Sequence, residues 1–271
     1  MKLAYTVCTP ETKGKYLAYR GEIAEVFSSL KEIGYDGVEA FVRDPRLIDQ
    51  REFGRQLEKN QLELAVVGTG PIVSEDKLTF TSPDENSRRE AILRAKASVD
   101  FAAAFGAQVN VGKLRGDIYK AGDPVLSRKL RDEAFKEVCD YALTKNVPIT
   151  IEPQCRFAVD NLNTTQEAIA WVKEMKLPNL FIMMDVFHMN IEDKSQAASF
   201  IDGKELNIHV HFADNNRGIP GTGKIDFVDA VRVLKALGYN RYISMEVEQG
   251  QDCYRTAQRS FEYVNRLLQE E

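Results

Sequence analysis

The feature that most constrains the fold is a regular alternation of short apolar segments with amphipathic ones. Eight apolar runs are predicted β-strands, at residues 3–8, 37–42, 62–68, 108–111, 147–152, 180–185, 206–211 and 242–247. The segments between them repeat apolar residues at helical intervals, which predicts helices with one buried face. In the first helix the buried stripe is expected to comprise Ile23, Val26, Phe27, Leu30 and Ile33. Alternation of this kind is typical of a parallel sheet covered by helices.

Two architectures of the α/β class fit this pattern, a closed (β/α)8 TIM barrel and an open doubly wound sheet. The chain has 271 residues and no long linker, and such barrels typically need about 250 residues. Residues 30–36 and 234–240 nearly repeat each other as helix–turn–strand units. No GxGxxG motif follows the first strand, which removes the usual signature of the open sheet. We therefore predict one TIM-barrel domain spanning residues 1–271, with capping boxes starting helices at Ser87 and Thr164.

Composition narrows the function classes. The formal net charge is −5, so no global basic field would attract nucleic acid. No apolar window approaches the about 18 residues that a membrane span needs, and no signal peptide is evident, so a cytoplasmic location is expected. Four cysteines are far apart and form no CxxC pair, which predicts reduced thiols. They are Cys8, Cys139, Cys155 and Cys253.

Four metal-capable residues lie near the ends of four later strands: Glu152, Asp185, His211 and Glu246. In a barrel the carboxyl ends of the strands share one rim, where such proteins carry their active sites. Three carboxylates and one imidazole suit a hard or borderline divalent cation. Each residue alone is weak evidence, but four at equivalent positions predict a metal centre. Because side chains alternate along a strand, residues two positions earlier should also point into the barrel.

Three motifs carry a resemblance to a known family. They are IEP at 151–153, DVFHMNIE at 185–192 and HVHFADNNR at 209–217. The chain resembles the xylose-isomerase-like sugar isomerase/epimerase family, in particular the ketose 3-epimerases of the tagatose/psicose type. Its similarity to the 5-keto-gluconate epimerase branch is stronger still and extends over essentially the whole chain.

The resemblance implies one divalent metal, usually Mn²⁺ with Co²⁺ or Mg²⁺ as substitutes, held by the four residues above. It also implies substrate contacts from His188 and Arg217. The turn Gly68-Thr69-Gly70, which resembles that of the 5-keto-gluconate epimerase branch, adds Gly68 as a further expected substrate contact. The expected partner is a small sugar or keto-acid sugar, and a homo-oligomer, dimer or tetramer, is left open.

The chemistry of epimerisation gives two of these residues a second role. Removing the proton beside a ketone leaves an enediolate, whose charge a divalent cation would stabilise. Glu152 and Glu246 come from different strands, so one could remove the proton and the other return it to the opposite face. An aldose–ketose isomerase or a lyase would use the same metal and bases. An endonuclease IV-like nuclease is disfavoured, since the chain has only three histidines. A non-enzymatic binding protein is disfavoured because both glutamates are present.

The substrate is less well defined by the sequence. Five cations lie near strand ends, which predicts a positive field for an anionic substrate, with Arg43 and Lys113 as contacts. They are Arg43, Lys113, Arg115, Arg156 and Arg217. Solvated loop charges are the alternative interpretation. Only the triad at 221–223 offers a glycine-rich phosphate site, and it is weak. Cys155 and Ala158 replace an asparagine and a glutamate usual in the epimerases, which leaves the substrate and reaction open.

Overall fold

The computed structural model describes residues 1–270, and its centre is a closed barrel of eight parallel strands. Each strand pairs with the next along the chain, and the last pairs with the first. The prediction of a TIM barrel is therefore confirmed, and the doubly wound alternative is wrong. The strands are β1 (Lys2–Cys8), β2 (Gly37–Phe41), β3 (Glu63–Gly68), β4 (Gln108–Val111), β5 (Ile149–Ile151), β6 (Leu180–Asp185), β7 (Asn207–Phe212) and β8 (Tyr242–Met245).

Helices follow the strands and cover the outside of the barrel. Two of them, α3 (Gly70–Asp76) and α7 (Val186–Glu192), are short and come directly after β3 and β6, on the rim where the strands end. Single 3₁₀ turns follow β2 and β4 on the same rim. The helices are α1 (Ile23–Ile33), α2 (Gln50–Asn60), α3 (Gly70–Asp76), α4 (Glu85–Ala103), α5 (Pro124–Leu143), α6 (Thr165–Met175), α7 (Val186–Glu192), α8 (Gln196–Gly203), α9 (Phe227–Ala236) and α10 (Cys253–Gln269).

The hydrophobic core fills the layer between strands and helices. The predicted stripe of α1 faces this layer, with its three central residues buried. Outward-facing strand residues such as Ile149, Ile151 and Met184 pack in the same cluster. The alternate residues Thr150 and His209 are buried polar groups inside the barrel. The period-two pattern of the strands thus separates apolar packing outside from polar side chains inside.

Helix starts were predicted with mixed success. Thr164 and Glu167 form the expected capping box at the start of α6. The capping box expected at Ser87 is wrong, because the Asp84 carboxylate is the cap of α4 and accepts from the Ser87 amide at 2.7 Å. Asp84 starts the helix one turn earlier than predicted, because its short side chain accepts from the backbone N–H three residues further on.

Strands β5 and β8 are shorter than predicted, because they end at Ile151 and Met245. Glu152 and Glu246 are therefore the first residues beyond their strands. Both still lie on the carboxyl rim, as the metal-site hypothesis requires.

The cysteine prediction is consistent with the structure, in which all four residues are free thiols and only Cys253 is not buried. Within residues 1–270, no helix combines the length and hydrophobicity needed to cross a bilayer.

Candidate metal centre and active-site cavity

The four predicted metal ligands converge at the carboxyl rim. One ligand atom from each of Glu152, Asp185, His211 and Glu246 lies within 4.8 Å of the other three. Asp185 and His211 are direct partners in the β6–β7 register. His211 Nδ1 lies 3.9 Å from a Glu152 oxygen and 3.6 Å from a Glu246 oxygen. Adjacent positions in a closed parallel barrel explain how residues so far apart in sequence meet here.

Two atoms of this cluster are buried without a hydrogen-bond partner among residues 1–270, Glu152 Oε1 and His211 Nδ1. The other Glu152 oxygen accepts from Asn110 Nδ2 at 3.1 Å and Gln154 Nε2 at 2.9 Å. Buried polar atoms are normally satisfied, so atoms that face each other unpaired indicate a ligand. Three carboxylates and one imidazole form a donor set that fits a divalent cation such as Mn²⁺.

The pKa values of the two glutamates in this cluster are shifted in opposite directions. Burial raises the pKa of Glu152, and the neighbouring Glu246 carboxylate raises it further. For Glu246, burial opposes ionisation, but the Arg217 guanidinium and His211 lower its pKa below the ordinary value. Two neighbouring carboxylates with pKa shifts in opposite directions are a common mark of a functional site.

Arg217 supplies positive charge at the edge of the cluster. Its Nη1 lies 2.7 Å from Asp185 Oδ2 and 2.8 Å from Glu246 Oε2. The guanidinium stacks 3.9 Å from the centre of the Phe187 ring. Its backbone has φ of 58°, an uncommon conformation for a side chain larger than glycine. Hydrogen bonds on both sides, to the Asp214 carbonyl and from the Glu248 amide, hold that conformation.

The loop that carries Arg217 is organised by the buried Asp214 carboxylate. It accepts backbone N–H bonds from four residues of its own loop: Asn215, Gly221, Gly223 and Ile225. The amides of Gly221 and Gly223 are thus already bonded to protein, at 2.9 and 2.7 Å. The weak phosphate-site signal at residues 221–223 is therefore not supported, and the triad is a turn whose glycine amides bond Asp214. A Cβ at Gly223 would lie 2.3 Å from Asp214 Oδ1, which explains the glycine at this position.

His188 lies on α7 beside the cluster. Its Nδ1 accepts from the Cys155 backbone amide at 3.1 Å, and its Nε2 lies 3.7 Å from both Glu152 Oε1 and Asp185 Oδ2. Burial lowers the pKa of His188 to about 3, so the ring is neutral near pH 7. Arg217 Nη2, which can only donate, lies 2.9 Å from His188 Nε2, so both ring nitrogens face an N–H donor, and a neutral ring can accept from only one of them.

A cavity of about 450 Å³ opens above the cluster, within the usual size range of small-molecule sites. The predicted substrate residues Gly68 and Lys113 line it, together with Arg217 and the candidate metal ligands Glu152, His211 and Glu246. A second cavity of about 570 Å³ lies at the opposite end of the barrel, around Lys2 and Tyr242. We assign function to the first cavity, because the second lies at the end where barrel residues usually serve stability.

Three of the five predicted cations do not reach the cavity. Arg43 pairs with Asp76 at 2.6 Å, so its expected role as a substrate contact is not supported. Arg156 pairs with Glu192 at 2.6 Å. Arg115 is fully buried and donates to main-chain carbonyl oxygens of neighbouring loops. A position near a strand end did not predict where these long side chains point, because each of them reaches a partner on another loop or helix.

Several cavity residues were missed by the sequence analysis. Glu39 on β2 contacts His211 Nε2 at 2.7 Å, and its position in a near-repeat with Glu246 was the available signal. Asn110, at an inward position of β4, holds Glu152. Lys15 and Tyr16 line the cavity from the long β1–α1 segment, where no periodicity marks them.

Fold and site together define a (β/α)8-barrel protein with a candidate divalent-metal centre at its carboxyl rim. The chain belongs to the xylose isomerase-like TIM barrel family, whose model matches residues 27–264.

Named relatives refine this family assignment. The chain is 27% identical to a probable ketose 3-epimerase of Synechocystis sp. over 248 residues, 90% of this chain and 84% of that protein. It is 28% identical to the 3-dehydro-D-guloside 4-epimerase of Escherichia coli over 249 residues, covering 87% and 80% of the two chains. In fold, it matches the D-psicose 3-epimerase of Clostridium cellulolyticum H10 solved with D-tagatose, with a TM-score of 0.83, 22% identity and 99% of each chain covered.

Proposed function

We propose that this protein is a divalent-metal-dependent epimerase of a ketose or keto-acid sugar, with Mn²⁺ as its metal. The observation that carries the proposal is the pair of glutamates Glu152, which is buried, and Glu246, which is half-buried, at the ends of different strands around one candidate metal centre. The sugar epimerases among its relatives support the same class of reaction. The single-domain organisation, the homo-oligomer and the cytoplasmic location stay predictions.

The two glutamates can act from different sides of a bound sugar. If one carboxylate removes the proton beside the carbonyl and the other returns a proton to the opposite face, the carbon is inverted. A single base would return the proton to the same face or pass it to the next carbon. A bound cation would stabilise the negative charge that develops on the substrate oxygens.

Arg217 and His188 supply the donors that the reacting oxygen needs. Arg217 Nη2 and His188 Nε2 lie 2.9 Å apart beside the metal cluster. A substrate oxygen that takes over the Arg217 N–H would release Nε2 to carry the ring proton, and the oxygen would then accept from both side chains. Both bonds would strengthen as its negative charge grows. We therefore assign these two residues to the substrate oxygen, and His188 stays neutral while doing so.

The outer cavity favours an anionic substrate end. Lys15 and Lys113 both line it and are exposed, and neither forms an ion pair with a carboxylate among residues 1–270. One exposed carboxylate, Glu248, also lines the cavity. Two free ammonium groups against one carboxylate support a keto-acid sugar over a neutral ketose.

An aldose–ketose isomerase or a lyase acting on a related keto-sugar is the second candidate. The observation in its favour is the replacement of the usual asparagine and glutamate by Cys155 and Ala158. The backbone amide of Cys155 still donates to His188, and this contact supports an unchanged reacting centre. The two replacements would then alter only contacts with the outer part of the substrate.

The test is turnover of a panel of ketoses and keto-acid sugars by Mn²⁺-loaded protein in D₂O. An epimerase gives the epimer with one deuterium at the inverted carbon. An isomerase moves the carbonyl to the adjacent carbon, and a lyase gives a dehydrated or cleaved product. Exchange without any of these products, or no turnover of any sugar, would contradict the proposal.

Substitution of the two bases tests the mechanism. Glu152→Gln and Glu246→Gln should each lower kcat by about 10²- to 10⁴-fold, because each removes a proton-transfer group. Circular dichroism should show that both variants stay folded. Glu63→Gln, at the opposite end of the barrel and paired with Lys2, is the matched carboxylate control and should turn over normally. Near-normal activity in either of the first two variants would exclude the two-base mechanism.

A further inference from the structure

Glu39 is a charged residue inside the barrel that the proposed reaction does not use. It lies on β2, is fully buried, and places Oε2 at 2.7 Å from Nε2 of His211. The other ring nitrogen of His211, Nδ1, is the atom that faces the candidate metal centre. One ring nitrogen of His211 therefore contacts Glu39, and the other faces the candidate metal centre.

We propose that Glu39 is a positioning residue that makes Nδ1 the metal-binding nitrogen of His211. A carboxylate can only accept a hydrogen bond, so the 2.7 Å contact requires a proton on His211 Nε2. A neutral ring with its proton on Nε2 has its lone pair at Nδ1, the nitrogen that faces the cluster. The same bond fixes the ring plane, which a single side chain on a strand would otherwise leave free to rotate. This inference rests on the metal centre of the proposed function.

The burial of Glu39 argues against a purely structural role. Its Oε1 has no hydrogen-bond partner among residues 1–270. A buried carboxylate with one unsatisfied oxygen costs stability, and an apolar side chain of similar size would normally cost less. A residue that is unfavourable for folding yet contacts a candidate ligand at 2.7 Å is best explained by that contact.

Glu39, His209 and His211 also place ligand-type atoms within 4.8 Å of one another. Their contacts fit hydrogen bonds better than a second cation. His209 Nε2 lies 2.7 Å from Ser244 Oγ and 3.4 Å from Glu39 Oε2, so its primary partner is the serine. We therefore interpret this group as a hydrogen-bonded column beneath the metal centre.

The test is the affinity of the purified full-length protein for Mn²⁺ alone, measured by isothermal titration calorimetry. Glu39→Leu removes the acceptor, and Glu39→Gln keeps an acceptor without charge. Loss of a partner of this kind typically weakens metal binding by about 10- to 100-fold. We expect Kd to rise in the order wild type, Glu39→Gln, Glu39→Leu. Values within about twofold of wild type in both folded variants would overturn the proposal. If the leucine variant fails to fold, the glutamine variant alone decides.

Ser244→Ala is the matched control, because it removes another buried bond of 2.7 Å in the same barrel, made by the His209 ring, and keeps the Glu39–His211 bond. Its Mn²⁺ affinity should stay within about twofold of wild type. An equal loss in this variant would assign the Glu39 effect to general disturbance of the core and overturn the inference. Failure of the wild type to bind Mn²⁺ would overturn both the metal centre and this inference. Normal binding without epimerase activity would overturn only the proposed function.

Discussion

His211 and His188 show how buried contacts determine what an imidazole can do. In His211, Glu39 lies at Nε2, which leaves Nδ1 for the metal centre. In His188, a backbone amide lies at Nδ1, and Arg217 Nη2 lies 2.9 Å from Nε2, where the proposed substrate oxygen would bind. The same residue type is thus proposed as a metal ligand in one place and as a substrate contact in the other, because different partners lie at its ring nitrogens.

His188→Gln should separate substrate contact from metal binding. The loss of one donor to a developing negative charge typically lowers kcat by about 10²- to 10³-fold. Mn²⁺ affinity should be unchanged, since His188 is outside the ligand set. Because burial lowers the pKa of His188 to about 3, the acid limb of the pH–rate profile should keep its position in the variant. A shifted acid limb or a weakened Mn²⁺ affinity would contradict the assigned role.

At this scale the sequence was informative wherever a short side chain sits directly at a strand end. Asp185 and His211 are of this kind, and their positions follow from strand register alone. Arg43 was not predictable, because its long side chain turns to Asp76 on a helix that follows a different strand. Lys15 was not predictable either, since its segment has no periodic pattern.

At the scale of elements, the carboxyl rim is tied together by an ionic network around Arg94 of α4. Its guanidinium lies 3.0 Å from Asp76 at the end of α3 and 3.3 Å from Asp44, which follows β2. It also donates to the Arg43 carbonyl at 3.0 Å. Because α3 lines the cavity through Gly70 and Ser74, this network positions one wall of the candidate active site.

Arg94→Met should lower the free energy of unfolding at pH 7 by about 1–3 kcal/mol, because it leaves partly buried carboxylates with fewer donors. Hydrogen bonds from Arg43 and Arg94 lower the pKa of Asp76. That contribution is complete above the unfolded-state pKa of about 3.9 and is lost as the pH falls through the folded-state value. Urea denaturation should therefore show the gap between wild type and variant at pH 7 and a smaller gap near pH 3.

Arg55→Met is the control for that network, since Arg55 pairs with Glu52 on the exposed face of α2. It should leave the stability essentially unchanged at both pH values. A gap for Arg94→Met that stays constant between pH 7 and pH 3 would show that the stabilisation is not ionic.

Element type and order were predictable, whereas element ends were less so. The amphipathic stripe of α1 and the capping box at Thr164 follow from local pattern. The start of α4 was misassigned because Asp84 and Ser87 are both good caps, and the choice depends on backbone geometry. Strands β5 and β8 end early for a similar reason, since hydrogen bonding to neighbouring strands decides where a strand stops.

At the scale of the molecule, barrel closure converts separation in sequence into proximity. Glu152 and Glu246 lie on β5 and β8 ends and meet only because β8 returns to pair with β1. The alternation of elements predicts this closure. It does not predict the charge of the cavity, because the positive residues around it come from loops whose paths depend on their own partners.

The protein has a net charge of −5, yet two lysines without an ion-pair partner among residues 1–270, Lys15 and Lys113, line the cavity. Their proposed role in binding an anionic substrate can be tested by substitution. The double variant Lys15→Ala/Lys113→Ala should lower kcat/KM for keto-acid sugars by about threefold to tenfold and leave neutral ketoses unchanged, because exposed charge pairs contribute modestly. Added salt should reduce the wild-type value for keto-acids and affect the double variant little, since salt screens exposed charges. Lys59→Ala/Lys129→Ala removes the same charge from the outer helices α2 and α5, and should leave both substrates unaffected. An equal loss for charged and neutral sugars in the first variant would exclude recognition of an anionic group.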